Sequence, residues 1–212
     1  MHPILKAWMS TGGSQKILLM RHGDIRIDRR SQRFIGQTDL PLSDTGRQQA
    51  QWWRKRLASI ALQRIVCSDL IRCVETARII AADHHAAVKP MPSLRELHLG
   101  AWENLSVDQV KVRWPNAYQR RGQAMDSFRP PGGESFIDLQ QRVLPTFEEI
   151  VEGAAGPVLI VAHAGVNRMI LCHVLGLPPA NLFRRAQDTA ALNLIDRMND
   201  GYRIQTLNLP PA

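Results

Sequence analysis

The sequence contains no long hydrophobic run, no paired-cysteine motif and no internal repeat. Because a membrane-spanning helix needs about 18 apolar residues in succession, none is expected. The first residues also lack the apolar core of a signal peptide. We interpret residues 1–15 as an N-terminal extension that is either frayed or wrapped along the edge of a sheet. A cytoplasmic protein without membrane contact is the resulting prediction.

Cysteine is scarce, with Cys67, Cys73 and Cys172 as its three occurrences. An odd number without paired spacing argues against a disulfide framework. No C-x-x-C motif is present, and the scattered histidines, including His84-His85, have no metal-ligand spacing. We therefore expect three buried thiols, and we predict no metal and no other cofactor.

Acidic residues are fewer than basic ones: 19 Asp and Glu and 27 Lys and Arg give a net charge of +8. Such a charge fits an acidic small-molecule ligand, nucleic acid or a solvated surface. Arginines at positions 26, 29, 30 and 33 follow closely on Arg21-His22-Gly23, which favours the small molecule. No RNA-binding motif with interleaved aromatics and no helix-turn-helix pattern occurs, so nucleic acid is not the predicted partner.

Short apolar runs alternate with longer helical patterns, which is typical of a parallel α/β sheet. We predict a single domain over residues 1–212, a three-layer sandwich with a mostly parallel central sheet flanked by helices. The irregular residues 84–131 are predicted to form a small inserted helical cap. The predicted strands lie at about residues 16–20, 64–67, 157–162, 191–195 and 202–207. The predicted helices lie at about residues 43–59, 68–82 (capped by Ser68), 134–152 and 164–175.

Two predicted strands end in a histidine followed by small residues. Arg21-His22-Gly23 follows the first strand, and His163-Ala164-Gly165 follows the strand at residues 157–162. Ligands bind at this edge of an open α/β sheet. A histidine there can attack a phosphoryl group while an arginine holds its oxygens. One such strand end could be a packing feature, but two of them indicate a shared anion site.

Arg72 begins a helix just after a third strand, so it is expected at the same edge. The alternative is a surface salt bridge to Asp69 or Glu75 on the same helix face. A departing alkoxide also needs a proton, which a carboxyl group can donate. Glu96 and Glu103 are both candidates, and the residue pattern alone does not choose between them.

Six motifs occur in order along about residues 16–176, and together they resemble the histidine phosphatase superfamily in its phosphoglycerate-mutase-like branch. The second motif resembles the alpha-ribazole phosphatase group within it. The motifs are Arg21-His22-Gly23, Gly36-Gln37-Thr38-Asp39-Leu40-Pro41-Leu42, the run from Ser68 to Ala77, Leu94-Arg95-Glu96 with Gly100 and Trp102-Glu103, Pro131-Gly132-Gly133-Glu134-Ser135, and Val161-Ala162-His163-Ala164-Gly165.

This resemblance implies that His22 is the nucleophile and forms a phosphohistidine. Arg21, Arg72 and His163 would bind the transferring phosphoryl group, and Glu96 would be the proton donor. The chain departs from the family where Asp24-Ile25 replace Glu and Ser or Thr, where Ala164 replaces Gly, and where an Asn gives way to Asp28. The departures leave the chemical residues in place.

Substrate binding is predicted to involve Gly36, Gln37 and Arg26. The basic residues 26–33 and Arg120-Arg121 fit a second anionic group on the substrate and a solvated surface equally well. The pair Trp52-Trp53 is compatible with packing in the core and with packing at a homodimer interface.

The predicted function is a phosphatase of the histidine acid type that hydrolyses a small phosphorylated metabolite. Alpha-ribazole 5′-phosphate is one candidate substrate, and broad activity on small phosphate esters is equally compatible. One alternative is a phosphoglycerate-mutase-type isomerase, which would need a bisphosphate primer and tends to have a longer cap. The other is a non-catalytic phospho-ligand or protein-binding module, which would have no need for the acid Glu96.

Overall fold

A six-stranded mixed sheet forms the centre of the computed structural model, which describes residues 2–12, 14–27 and 31–211. In spatial order the strands are β3 (Val88–Pro90), β2 (Arg64–Cys67), β4 (Val158–Ala162), β1 (Gln15–Arg21), β5 (Leu192–Met198) and β6 (Gly201–Leu209). The first four strands in this order are mutually parallel, whereas β5 is antiparallel to β1 and to β6. The mostly parallel sheet predicted from the sequence is therefore confirmed.

Helices cover both faces of this sheet and complete the predicted three layers. One face carries α1 (Pro3–Met9), α2 (Asp44–Leu57) and α3 (Ile71–Ala81). The other face carries α6 (Phe136–Glu152) and α7 (Ala164–Val174), together with the short helices α4 (Val107–Arg113) and α5 (Pro115–Gln123). No helix among residues 2–12, 14–27 and 31–211 is both long enough and apolar enough to cross a bilayer.

Strand β1 shows why the central strands are continuous apolar runs. Ile17 and Leu19 pack into the core under α6 and α7, whereas Leu18 and Met20 pack into the core under α2 and α3. All four side chains are fully buried. A strand covered on both faces has no polar side, so periodicity of two disappears from its sequence.

The range predicted as a cap, residues 84–131, contains one sheet strand at its start. Strand β3 pairs in parallel with β2, and helices α4 and α5 follow only after two 3₁₀ turns at Pro92–Leu94 and Gly100–Trp102. Trp102 anchors this region, because its buried ring lies 5.3 Å from the rings of both Phe34 and Phe128.

Two local predictions are wrong. Ser68 does not cap the second helix, because α3 begins at Ile71, whose N–H donates to Oδ1 of Asp39 at 2.7 Å. The prediction of a frayed or edge-wrapped N-terminus is also wrong for residues 3–9, because Pro3–Met9 form α1. Its Leu5 and Trp8 are buried against the sheet.

Candidate active site

The carboxyl ends of β1, β2 and β4 meet at one edge of the sheet and bring the predicted site residues together. His22 and His163 follow β1 and β4 directly, and their ring centroids are 5.2 Å apart. Arg72 reaches the same place from the first turn of α3, where its Nε lies 3.3 Å from Nδ1 of His163. The convergence expected from three strand ends is therefore present in the fold.

The ring of His22 is held in one tautomer. Its Nδ1 lies 2.7 Å from the carbonyl oxygen of Gly23, which can only accept a hydrogen bond. Nδ1 therefore carries the proton, and Nε2 has a free lone pair. Burial, followed by the charges of Arg21 and Arg72, lowers the pKa of His22 well below its usual range. The imidazole is therefore uncharged and nucleophilic at neutral pH.

Gly23 is required by the close approach of this turn to helix α2. A Cβ atom at Gly23 would lie 2.6 Å from the carbonyl oxygen of Gly46. Ser43, the N-cap of α2, donates to Oδ2 of Asp24 at 2.7 Å. Asp24, one of the departures from the family pattern, therefore fastens the turn after His22 to the start of a helix.

Arg72 is buried to 1% exposure and is fixed by three acceptors. Besides His163, it donates from Nη1 to the carbonyl of Thr38 at 2.8 Å and from Nη2 to that of Gly36 at 2.7 Å. Gly36 has φ +48, a conformation that glycine adopts without strain. The alternative of a surface salt bridge is wrong, because Asp69 pairs with Arg95 and Glu75 pairs with Arg47.

The structure separates the two candidate acids. Glu103 accepts from the N–H groups of Gln37, Thr38 and Leu99 and from the Thr38 hydroxyl, at 2.8–3.0 Å. Its carboxylate thereby organises the loop that holds Arg72. Glu96 instead accepts from the N–H of Gly165 at 3.0 Å and lines the open cavity. Of the two carboxyl groups, Glu96 lines the cavity and Glu103 does not. The role of Glu96 as proton donor stays a prediction.

A cavity of about 430 Å³ opens beside this cluster, between the sheet edge and helices α4 and α5. Gly36, Glu96 and Gly165 belong to its lining, whereas His22, Arg72 and His163 are buried next to it and do not. Arg21 lines it, with Nη1 donating to the carbonyl of Gln187 at 2.6 Å. Its Nε is buried and has no hydrogen-bond partner among the described residues. Buried donors without partners are rare in proteins. This donor is consequently available to an anion, and burial lowers the pKa of the guanidinium.

The predicted substrate-binding residues are placed differently from one another. Gly36 lines the cavity, whereas the side chain of Gln37 donates to the carbonyl of Glu96 at 3.0 Å. Arg26 is exposed and does not belong to the cavity lining. Asp28, Arg29 and Arg30 lie outside the described residues. The contribution of Arg26 to binding stays a prediction.

Sequence reasoning missed Arg168 and left Arg121 undecided, although both line the cavity. Burial lowers the pKa of each guanidinium. A signal for Arg168 was present, because it lies three residues after Gly165 on the helix that starts at the site, and residues so spaced share a helix face. Among the described lining residues, Glu96 is acidic and four are arginines: Arg21, Arg33, Arg121 and Arg168.

A sequence profile of the histidine phosphatase superfamily, branch 1, matches residues 17–210. The chain belongs to this superfamily. It is 36% identical over 176 residues to the glucosyl-3-phosphoglycerate phosphatase of Mycolicibacterium vanbaalenii, covering 79% of this chain and 77% of that protein. It is also 32% identical over 185 residues to a probable phosphoglycerate mutase, GpmB, of Yersinia enterocolitica, covering 85% and 84%.

Solved structures agree with this assignment. A mycobacterial glucosyl-3-phosphoglycerate phosphatase superposes with a TM-score of 0.81 at 29% identity, over 92% of this chain and 99% of that one. The alpha-ribazole phosphatase of Shigella flexneri superposes with a TM-score of 0.85 at 25% identity, over 92% and 96%. The relatives support a phosphatase and differ in the substrates for which they are named.

Proposed function

We propose that the chain is a phosphatase of the histidine acid type, which hydrolyses a small phosphate monoester through a phosphohistidine at Nε2 of His22. The observation that carries the proposal is the protonation state of this imidazole, which is neutral with its proton on Nδ1. Gly23 holds its proton on Nδ1, and burial beside Arg21 and Arg72 keeps it uncharged. A buried, neutral histidine with a free Nε2, directly after the cavity-lining Arg21, is equipped for nucleophilic attack.

The first step forms a bond from Nε2 of His22 to phosphorus and breaks the bond from phosphorus to the ester oxygen. Glu96, as a carboxylic acid, gives its proton to the departing oxygen. Arg21 and Arg72 neutralise the charge on the phosphoryl oxygens in the transition state. In the second step the Glu96 carboxylate takes a proton from water, which attacks phosphorus and breaks the phosphorus–nitrogen bond. Inorganic phosphate leaves, and His22 and Glu96 return to their starting states.

The substrate is proposed only as a class, a small phosphate monoester. Alpha-ribazole 5′-phosphate is the candidate from the sequence, and glucosyl-3-phosphoglycerate is the candidate from the most similar relatives named above. A mutase is the second candidate function. A cavity lined by four arginines and one carboxylate has the positive charge to bind a ligand with two phosphate groups. Such an enzyme would release little inorganic phosphate.

We also propose a cytoplasmic location, supported by three cysteines that are buried and free. A homodimer stays a prediction. Trp53 does not serve an interface, because it is buried and donates from Nε1 to the carbonyl of Ala190 at 2.6 Å. Trp52 is half-buried beside Arg56 and is the remaining candidate of that pair.

The test measures phosphate release, without added metal, from p-nitrophenyl phosphate, alpha-ribazole 5′-phosphate, glucosyl-3-phosphoglycerate and 3-phosphoglycerate. We expect release by the wild type and by His85→Ala, an exposed control, and none by His22→Ala. An alkaline quench of the wild type during turnover should yield protein carrying one phosphoryl group on His22. Full activity in His22→Ala would overturn the proposal. Interconversion of phosphoglycerates with a bisphosphate primer, without release, would favour the mutase.

A further inference from the structure

Part of the cavity wall is aromatic and plays no part in the chemistry above. Phe183, in the 3₁₀ segment Pro179–Arg184, lines the cavity and keeps 49% of its surface exposed. Phe136, at the start of α6, meets it edge to face, with centroids 5.7 Å apart and planes at 87°. A large exposed aromatic surface in a ligand cavity is available to an apolar part of the ligand.

The loop before α2 and the cap contribute a second aromatic surface to the same cavity. Phe34 and Phe128 line it, and both rings are fixed by packing on the buried Trp102 at 5.3 Å. Tyr118 lines it as well. Aromatic surfaces therefore come from the loop before α2, from the cap and from the segment after α7, and Phe34, Phe128 and Phe183 each contact a further aromatic ring.

Two arginines are stacked on these aromatic surfaces. The guanidinium of Arg168 lies 5.0 Å from the ring centroid of Phe183, and that of Arg121 lies 5.4 Å from that of Phe34. Stacking on a ring face orients a planar guanidinium and covers one side of the ring. The remaining exposed surface of Phe183 can then receive a flat group of the ligand.

The volume of the cavity also indicates a large leaving group. A space of about 430 Å³ falls within the range of pockets that bury ligands of drug size, on the order of 300–1,000 Å³. A phosphoryl group fills only a small part of it. The rest of the space is available to the leaving group, and five of the lining residues are aromatic: Phe34, Tyr118, Phe128, Phe136 and Phe183.

We infer that the substrate is a phosphate monoester whose leaving group carries an aromatic or similarly flat apolar body, and that Phe183 determines specificity by contacting this body. The inference rests on the proposed function, because it describes the leaving group of that reaction. Phe183 is not a catalytic residue in this account. It favours substrates with an apolar leaving group, because it covers apolar surface of that group that would otherwise face water.

The test compares two alkyl phosphates, propyl phosphate and 3-phenylpropyl phosphate. Their leaving groups are primary alkoxides of similar basicity, so the ratio of the two kcat/KM values reports binding of the phenyl ring. We expect the wild type to prefer the phenyl ester by about tenfold or more, the scale of burying an aromatic ring. The ratio should fall at least about fivefold in Phe183→Ala and to an intermediate value in Phe183→Leu.

Val112→Ala is the matched control, because Val112 is a hydrophobic side chain that is 81% exposed and outside the cavity lining. Its ratio should equal that of the wild type. Equal kcat/KM values for the two esters in the wild type would overturn the inference. A preference that persists in Phe183→Ala would also overturn it.

Binding of the two corresponding phosphonates, measured by calorimetry, separates this inference from the proposed function. If neither ester is hydrolysed, the phosphatase proposal fails. A preference for the phenylpropyl phosphonate that depends on Phe183 would then still support the aromatic site. Equal binding of both phosphonates would refute the site as well.

Discussion

Nε of Arg72 donates a hydrogen bond to Nδ1 of His163, across 3.3 Å. A guanidinium has no acceptor, so Nδ1 of His163 is the unprotonated nitrogen and the ring proton is on Nε2. His22 has the opposite arrangement, because the carbonyl of Gly23 holds its proton on Nδ1. Burial lowers the pKa of both rings well below the usual range. The two neighbouring imidazoles are thus both neutral, and in the proposed reaction one supplies a lone pair while the other supplies an N–H.

Arg72→Lys tests the three-way fixation of this guanidinium. An ammonium group is a point charge and cannot reach His163, Thr38 and Gly36 with the fork geometry of arginine. We expect kcat/KM to fall by about 10²–10³-fold, as for removal of one preorganised donor. The free energy of unfolding should fall by about 1–3 kcal/mol, because buried acceptors lose their partners.

The control for this variant is Arg78→Lys, on the same helix but exposed. It should change neither kcat/KM nor the midpoint of urea unfolding. Steady-state kinetics and urea titrations of the three proteins provide the comparison. A fully active Arg72→Lys enzyme would show that the positive charge alone is sufficient.

Glu96→Gln should slow turnover by an amount that depends on the basicity of the leaving group. The amide cannot donate the proton that a departing alkoxide needs, so turnover of an alkyl phosphate should fall by about 10²–10⁴-fold. Turnover of p-nitrophenyl phosphate should fall much less, because its phenolate departs without a proton. Phosphate inhibition should persist, since the arginines that bind the anion are unchanged.

Glu103→Gln is the matched comparison for Glu96→Gln. Its carboxylate accepts three hydrogen bonds from Gln37 and Thr38, in the segment that holds Arg72, and a fourth from Leu99, so the variant should lose stability and raise KM. It should slow the hydrolysis of alkyl phosphates and of p-nitrophenyl phosphate by the same factor. If Glu103→Gln instead shows the stronger dependence on the leaving group, the assignment of the acid to Glu96 is wrong.

Much of the site could be predicted because it is built from strand ends. Buried parallel strands are readable as apolar runs, and residues directly after them, such as His22 and His163, must meet at one edge. Their order and spacing also carry the family resemblance. The fold and the superfamily were predicted correctly for these local reasons.

The remaining features depend on contacts between residues distant in sequence. Glu96 and Glu103 occur in one short segment, and their roles differ because Glu96 reaches Gly165 at the cavity whereas Glu103 binds the segment around Thr38. The predicted start of α3 is wrong because the first helical N–H, that of Ile71, donates to Asp39, over 30 residues earlier. The position of Arg121 depends on how the cap packs around Trp102, which no local pattern specifies.

Trp8→Ala tests the N-terminal helix, which the sequence did not predict. Trp8 is buried, donates from Nε1 to Oδ1 of Asp196 at 2.8 Å, and lies beside Lys16, which also bonds to that oxygen at 2.9 Å. We expect the free energy of unfolding to fall by about 3–5 kcal/mol, the cost of truncating a buried aromatic side chain. At 25 °C kcat/KM should stay within about twofold, because α1 packs on the face of the sheet opposite the cap.

Trp8→Phe and Trp52→Phe complete this measurement by urea unfolding. Trp8→Phe keeps most of the apolar surface and removes one hydrogen bond, so it should cost less than Trp8→Ala. Trp52→Phe alters a half-buried ring and should cost least. Wild-type stability in Trp8→Ala would show that α1 contributes nothing to the fold.

The pH dependence of stability should report the two buried imidazoles. The pKa values of His22 and His163 lie well below their ordinary value, which is near 6.5 in the unfolded chain. Between those values the unfolded state binds more protons than the native state, so stability is lost as pH falls from about 7. Each histidine contributes at most about 1.4 kcal/mol per pH unit to this slope.

His163→Asn should therefore flatten the dependence of unfolding free energy on pH between about 7 and 5. His85→Asn, at an exposed position, should leave the slope unchanged. The measurement is urea unfolding in phosphate-free buffers, because bound phosphate would itself stabilise the native state. If the wild-type protein instead gained stability on acidification over this range, these rings would be charged in the fold. His22 would then have no free lone pair for attack at neutral pH.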